Sequence, residues 1–259
     1  MPELPELEVF AANLENHFKN QILDRLEVTF SKKLNSYKQD LQQHLQGHRL
    51  HNVTRDGKTM LMHFRRGRSL ALHLMLHGEL KIITPGEKIE NQIVALYFNS
   101  GKGFALCDPQ KQAMVTLNPN PSTIPDVFSK DFTPQYLESK LENEPPDIKK
   151  LLTCQQIVRG IDNSYADEIL WQAGISPFSA AQAIPKHKVQ LLYKLIHERF
   201  KADIVKFEAL ANGGFTGNIS AYHKIHNPDK TVSPSGGKIL IDNSGPLKTC
   251  YTEEQELFK

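Results

Sequence analysis

The second and third residues of the chain are Pro2 and Glu3. Removal of Met1 leaves Pro2 with a free secondary amine. An α-amino group titrates near 8 and a lysine near 10.4, so roughly 10% of such an amine is unprotonated at pH 7. The same reasoning gives an ordinary lysine well under about 0.1%. A secondary amine that adds to an aldehydic carbon forms an iminium, which is cationic at every pH and draws electrons from neighbouring bonds. Glu3 stands beside it as a general acid or base. The plain alternative is a chain that merely starts Met-Pro.

A second set lies in IVRGIDNSYADEIL, residues 157–170. Gly160 breaks one helix and the residues after it open another. N–H groups at a helix start, aided by the dipole, make an anion site. Asn163 caps that helix or donates to an anion. An ordinary helical hairpin explains the same spacing. Segment 186–206 carries six Lys/Arg against two acids, which is also what a solvated face looks like. Metal chemistry finds little support. Cys107, Cys154 and Cys250 are far apart and form no CxxC pair, so neither a thiolate zinc site nor a disulfide framework is expected. His223 and His226 form an HxxH. On a strand they would point to opposite faces, and the pair is read as a solvated turn.

These residues need elements to place them. Leu7, Phe10, Leu14 and Phe18 form a helical stripe over residues 4–18. Pro5 suits the first turn, and Glu6 and Glu8 sit near the positive end of the dipole. From Ile22 to Leu117 short apolar runs (LEVTF, TMLMHF, SLALHLML, IVALYF) alternate with turns (RDGK, RRGR, PGEK, NSGKG). Strands at close spacing predict a sandwich or barrel. NPNPSTIP, residues 118–125, reads as a linker. Beyond it the pattern is helical: Ile148, Leu151, Leu152 and Ile157 up to Gly160, a short helix ended by Gly174, and a third from Pro185 to Phe207. The tail from Gly213 reads as loop, with a hairpin at KILI. The expectation is an α+β chain. It comprises a β-sandwich over 1–118, a linker over 119–134, a helical domain over 135–212 and a loop-and-hairpin tail over 213–259, with a cleft between the two halves.

Composition excludes several classes. The chain has 259 residues, 39% apolar and 23% charged, with a formal charge of +2. Disorder does not fit such apolar content and low net charge. No apolar run approaches the roughly 18 residues of a membrane span. MPELPELEVF has neither a basic start nor an apolar signal core, so a cytoplasmic protein is expected, nucleoid-associated in a bacterium. A pI of 8.3 falls short of the basic extreme that announces nucleic-acid binding by itself.

Four pieces together carry a resemblance: MPELPELE, RDGKTML, LALHLMLHGEL and QIVRGIDNSYADEILWQAGISP. Their order resembles that of the formamidopyrimidine/endonuclease VIII (Fpg/Nei) DNA glycosylases, across most of the chain. The resemblance implies a β-sandwich with a leading helix, a helix–two-turn–helix domain, and a bifunctional glycosylase and AP lyase acting on damaged DNA, duplex or single-stranded. It implies that Pro2 attacks C1′, that Glu3 protonates the sugar ring oxygen, and that Glu6 supports the site. Lys58, the catalytic lysine of the family's pattern, would contact phosphate beside the lesion and help the chemistry. His73 and Asn163 would hold phosphates, with the N–H groups around Ile161. The target base must be flipped out of the duplex. A monomer needing no cofactor or metal is expected. Each residue keeps a plainer reading: Lys58 a hairpin turn, His73 a strand residue, Asn163 a cap, Glu6 a helix-dipole residue.

Three departures stand out. The family's typical finger uses four cysteines and presents an arginine; this tail has only Cys250, with Lys248 as the nearest substitute in a zinc-free hairpin. Lysine is a point charge without arginine's fork. The Met, Arg and Phe that usually fill the void of a flipped base fall on Leu76, Gln110 and Gln112. Leu76 still serves as an apolar wedge. The lesion loop keeps Gly213 and Gly214 but little else, so the lesion stays open. A DNA-binding relative without turnover is the principal alternative, and an RNA-associated module a further one.

Overall fold

The computed structural model describes residues 2–143 and 147–259. Met1, whose removal the Pro2 chemistry requires, lies outside them. The chain forms two compact units: residues 1–121 with 208–217, and 122–207 with 218–259.

The first unit begins with α1 (Leu4–Phe18). Its stripe is legible because Leu7, Phe10, Leu14 and Phe18 recur at helical spacing, and all four are buried. Each such burial is worth about 1.5–3 kcal/mol. Strands follow as β1 (Leu23–Val28), β2 (Leu50–Asp56), β3 (Thr59–Phe64) and β4 (Arg68–His73). The remaining four are β5 (Glu79–Ile83), β6 (Gln92–Phe98), β7 (Gly103–Cys107) and β8 (Met114–Leu117). They form two antiparallel four-stranded sheets, β1-β6-β7-β5 and β2-β3-β4-β8. On β3 the alternation is clean: Met60, Met62 and Phe64 face inward. Phe18 of α1 stacks on Phe98 of β6 at 4.5 Å. One helix escapes a reading by sequence pattern: α2 (Lys38–Leu45). It has only Leu41 and Leu45 as buried anchors, too few for a period to show.

The second unit is helical, with α3 (Pro134–Asn143), α4 (Ile148–Thr153), α5 (Asn163–Ala173) and α6 (Lys186–Ala211), followed by a hairpin of β9 (Leu240–Asp242) and β10 (Thr249–Tyr251). The last turn of α6 belongs with the first unit. The sequence pattern does not reveal α3, although Thr133 Oγ1 caps it by accepting from the Tyr136 N–H at 3.1 Å. The pattern also runs α4 on to Gly160. The helix stops at Thr153 because Cys154 closes a tight turn, its carbonyl accepting from the Ile157 and Val158 N–H groups. Gly174 ends α5 as expected, at φ 66°, a conformation that suits glycine. No helix among the described residues is long and apolar enough to cross a membrane.

Candidate active site

The first unit holds all four candidate catalytic residues, Pro2, Glu3, Glu6 and Lys58. Glu3 is the extended N-cap of α1 and forms a reciprocal capping box with Glu6. The Glu3 N–H donates to Glu6 Oε2 at 2.7 Å. Glu6 is buried, so its carboxylate fixes the backbone immediately after Pro2. Pro2 itself is half-buried, just ahead of the positive end of a 15-residue helix.

Lys58 sits in the two-residue connection between β2 and β3, where Asp56 pairs with Thr59. Arg55, overlooked in the sequence, ties that turn to α1. Its side chain is 2% exposed; Nε lies 2.5 Å from Glu8 Oε2 and an Nη donates to the Gly57 carbonyl at 2.9 Å. The helix bearing Glu3 and the turn bearing Lys58 thus share one buried guanidinium.

His73 ends β4 near Lys58. Burial first, and the Lys58 charge second, push the imidazole below its ordinary pKa. Its Nδ1 accepts from the Met75 N–H at 3.1 Å, so the neutral ring carries its proton on Nε2. That N–H is the right donor for a phosphate oxygen. The next loop is tight. Gly78 N–H returns to the Leu74 carbonyl at 2.9 Å, and Met75 takes φ 55°. A Cβ on Gly78 would meet the Leu74 oxygen at 2.2 Å. This geometry leaves Leu74 buried and Leu76 58% exposed.

Gln110 and Gln112 stand exposed on the loop after β7. The loop is organised by Asp108, which is fully buried and accepts from the backbone N–H groups of Gln110, Gln112 and Ala113 at 2.9, 2.6 and 2.8 Å. Burial alone would raise that carboxyl, but these donors, with His77 nearby, hold it below the usual range. Gly213 and Gly214 lie against α1: Asn13 Nδ2 donates to the Gly214 carbonyl at 2.7 Å, and Phe215 meets Phe10 edge-on at 5.7 Å. Asn13 was missed, though a polar residue interrupting an apolar stripe was its signal.

The second unit holds the other set. Asp162, not Asn163, is the N-cap of α5, accepting from the Tyr165 N–H at 3.1 Å. A carboxylate one position earlier takes the cap, which frees the Asn163 amide to donate to the Lys248 carbonyl at 2.8 Å. Ile161 is buried. The turn before it is shaped by Gln155, whose amide donates to the Ile161 carbonyl at 2.6 Å and whose oxygen accepts the Gly160 N–H at 3.0 Å. The structure therefore brings Asn163 and the Lys248 backbone together.

The HxxH is not a solvated turn. His223 is fully buried beside Tyr165, with ring centroids 5.2 Å apart. His226 Nδ1 lies 2.7 Å from Asp167 Oδ2. Buried Glu168 gathers the segment by accepting the N–H groups of Lys224, Ile225 and His226. In the tail, two turns close by hydrogen bonds. Gly237 N–H donates to Ser233 Oγ at 3.1 Å, and Thr252 N–H donates to Gln255 Oε1 at 2.8 Å. The Ser233 and Ser235 hydroxyls both donate to Glu254 Oε2.

Comparison with known proteins agrees across the chain. Residues 1–115 match the family model of the formamidopyrimidine-DNA glycosylase N-terminal domain, and residues 124–210 that of its H2TH domain. The formamidopyrimidine-DNA glycosylase of Legionella pneumophila strain Philadelphia 1 is 31% identical over 193 residues, covering 71% of this chain and 70% of that protein. The enzyme of the same name from Lactobacillus helveticus is 25% identical over 264 residues, covering 95% and 96%. A solved structure of the Lactococcus lactis Fpg with DNA containing an abasic site superposes with a TM-score of 0.85 at 22% identity, over 98% of this chain and all of that one. On its sequence matches and its architecture, this chain belongs to the formamidopyrimidine-DNA glycosylase/endonuclease VIII family.

Proposed function

We propose that the chain is a DNA glycosylase with AP lyase activity, acting on damaged, chiefly oxidised, bases through the Pro2 amine. The relatives it matches are named formamidopyrimidine-DNA glycosylases. The observation that carries the reading is the capped start of α1, with Glu3 and Glu6 locked together and the Lys58 turn joined to the same helix through Arg55.

In this reading the flipped nucleoside presents C1′ to the Pro2 nitrogen. The N–C1′ bond forms as the glycosidic bond breaks, and the departing base takes the electron pair and a proton. Glu3 protonates the ring oxygen as the sugar opens, leaving an iminium. The Glu3 carboxylate so formed takes a proton from C2′, the C3′–O bond breaks to expel the 3′ phosphate, and water then releases the aldehyde and regenerates the amine. Lys58 offsets the charge of a phosphate beside the lesion, and the His73 Nε2–H donates a hydrogen bond to another. Leu76 takes the space of the flipped base, with Gln110 and Gln112 beside the opposite strand. Asn163 and Lys248 in the second unit hold the backbone further along.

The Gln pair supports a preference for loosened DNA, because neither side chain stacks like Phe or carries arginine's charge. Unstacking costs least in mismatched or single-stranded substrates. Borohydride trapping on an oligonucleotide with an abasic site tests the central claim. The wild-type protein is expected to yield a covalent adduct, and Pro2→Gly and Lys58→Ala to abolish or sharply reduce it. An undiminished adduct in both variants, or none with wild type, defeats the proposal. Tight binding without an adduct would favour a damage-recognition protein. Mass spectrometry must show Pro2 as the first residue.

A further inference from the structure

The second unit contains a buried charged chain that the proposed chemistry does not use. Lys149 Nζ lies 2.7 Å from Asp167 Oδ1. It also donates to the Lys248 carbonyl at 3.0 Å and to Thr249 Oγ1 at 2.8 Å. Asp167 Oδ2 accepts from His226 Nδ1 at 2.7 Å and from the Cys250 N–H at 2.8 Å. Asp167 is 1% exposed and Lys149 6%. Buried charges are tolerated only when paired and hydrogen-bonded. Here the ammonium group donates to two oxygens and pairs by charge with Asp167 Oδ1, while Oδ2 accepts two hydrogen bonds.

The targets of this chain are consecutive: Lys248, Thr249 and Cys250. Lys248 immediately precedes β10 and Thr249 and Cys250 open it, half of a hairpin whose strands are only three residues long. Such a hairpin is marginal alone. The Lys248 carbonyl also accepts from Asn163. Charged groups of α4 and α5 therefore hold the stretch of tail that carries a candidate phosphate-binding side chain.

Asp167, His226 and Cys250 also offer an oxygen, a nitrogen and a sulfur within 4.8 Å of one another. Metal binding would have to displace the His226 and Cys250 N–H donors from Asp167 and admit a second cation beside Lys149. Lys149 and the two N–H donors already occupy that carboxylate.

We propose that Asp167 is a positioning residue for phosphate capture. With Lys149 and His226 it clamps the Lys248–Cys250 main chain to α4 and α5, and so aims the Lys248 ammonium beside Asn163. Buried charge does the mechanical work that four cysteines and a metal do in the family's typical finger. The inference rests on the DNA-processing reading above.

A double-mutant cycle on the full chain tests it, using anisotropy with a duplex bearing an abasic site at several salt concentrations. Lys248→Ala is expected to weaken binding about tenfold and to lower the salt slope by about one unit. Asp167→Asn should match both effects. It should raise the DNA concentration for half-maximal trapping about tenfold, while the plateau changes less than about twofold. Lys248→Ala added to Asp167→Asn should then cost less than about twofold more. Additive losses, or wild-type affinity and slope in Asp167→Asn, overturn the inference. Should Asp167→Asn fail to fold, His226→Leu, at a ring 19% exposed, takes its place in the cycle, and additive losses or wild-type binding there overturn the inference equally. One zinc per chain in the wild type, lost in His226→Leu, would also overturn it. A wild type that yields no adduct but obeys the cycle would sink the catalytic reading alone.

Discussion

Leu76 stands exposed on the loop after β4. A leucine normally gains by burial, and its neighbour Leu74 is 1% exposed where Leu76 is 58%. The loop enforces the difference, with Met75 at φ 55° and the Gly78 N–H bound to Leu74. A positive φ at a non-glycine residue costs of order 1 kcal/mol, and the return is an apolar side chain held out from the surface. If that side chain replaces a flipped base, its value depends on the base stack it enters. Leu76→Ala is therefore expected to reduce trapping several-fold on an intact duplex and to change it little on a bubble. Single-turnover trapping on the two substrates checks this, and equal effects would remove Leu76 from the role of wedge. His73 follows a similar logic, since one backbone N–H on Nδ1 fixes which ring nitrogen donates.

At the scale of elements, Arg55 links α1 to the β2–β3 turn. Its guanidinium reaches Glu8, 47 residues away in sequence, and the Gly57 carbonyl two residues on. Arg55→Met keeps the stem and loses both contacts. Trapping is expected to slow by about tenfold or more, because small misplacements of a reacting group are costly, while affinity for abasic DNA stays within about threefold. A variant with wild-type trapping rate would show that the turn holds itself. Arg55→Lys should recover only part of the rate, because lysine lacks the fork. This contact also shows what the sequence could tell. The α1 stripe, the strand runs and the order of RDGKTML and GIDNSYADEIL were legible, because each is a local pattern. Arg55 was invisible because its partner is distant. The cap of α5 was misassigned because Asp162 and Asn163 are equally good N-cap types, and only the Lys248 carbonyl separates them. His226 looked solvated because Asp167 and Cys250 approach it from 59 and 24 residues away.

At the scale of the whole molecule, four histidines fall into two groups whose shifts have opposite signs. His63, His73 and His223 all lie below their ordinary pKa, chiefly through burial. The unfolded chain binds those protons more readily, so their contribution to stability grows as pH rises toward about 6.5. His226 behaves oppositely. Burial would lower it, but the Asp167 hydrogen bond and the Cys250 side chain more than offset that and lift it to about 9. His223 faces the same ring with centroids 6.5 Å apart, and Lys149 pairs with the other carboxylate oxygen of Asp167. A folded pKa above the unfolded 6.5 means the gain is complete below about 6.5 and lost as pH rises through about 9. Thermal unfolding across pH 5 to 10 is therefore expected to peak near pH 6.5 to 7 and to fall on both sides. His226→Gln keeps a donor for Asp167 and removes the titration, so the alkaline fall should flatten while the acid side is unchanged. An alkaline limb of the same steepness in His226→Gln would place the loss elsewhere in the protein, and would show that the Asp167 chain holds without a charged imidazole.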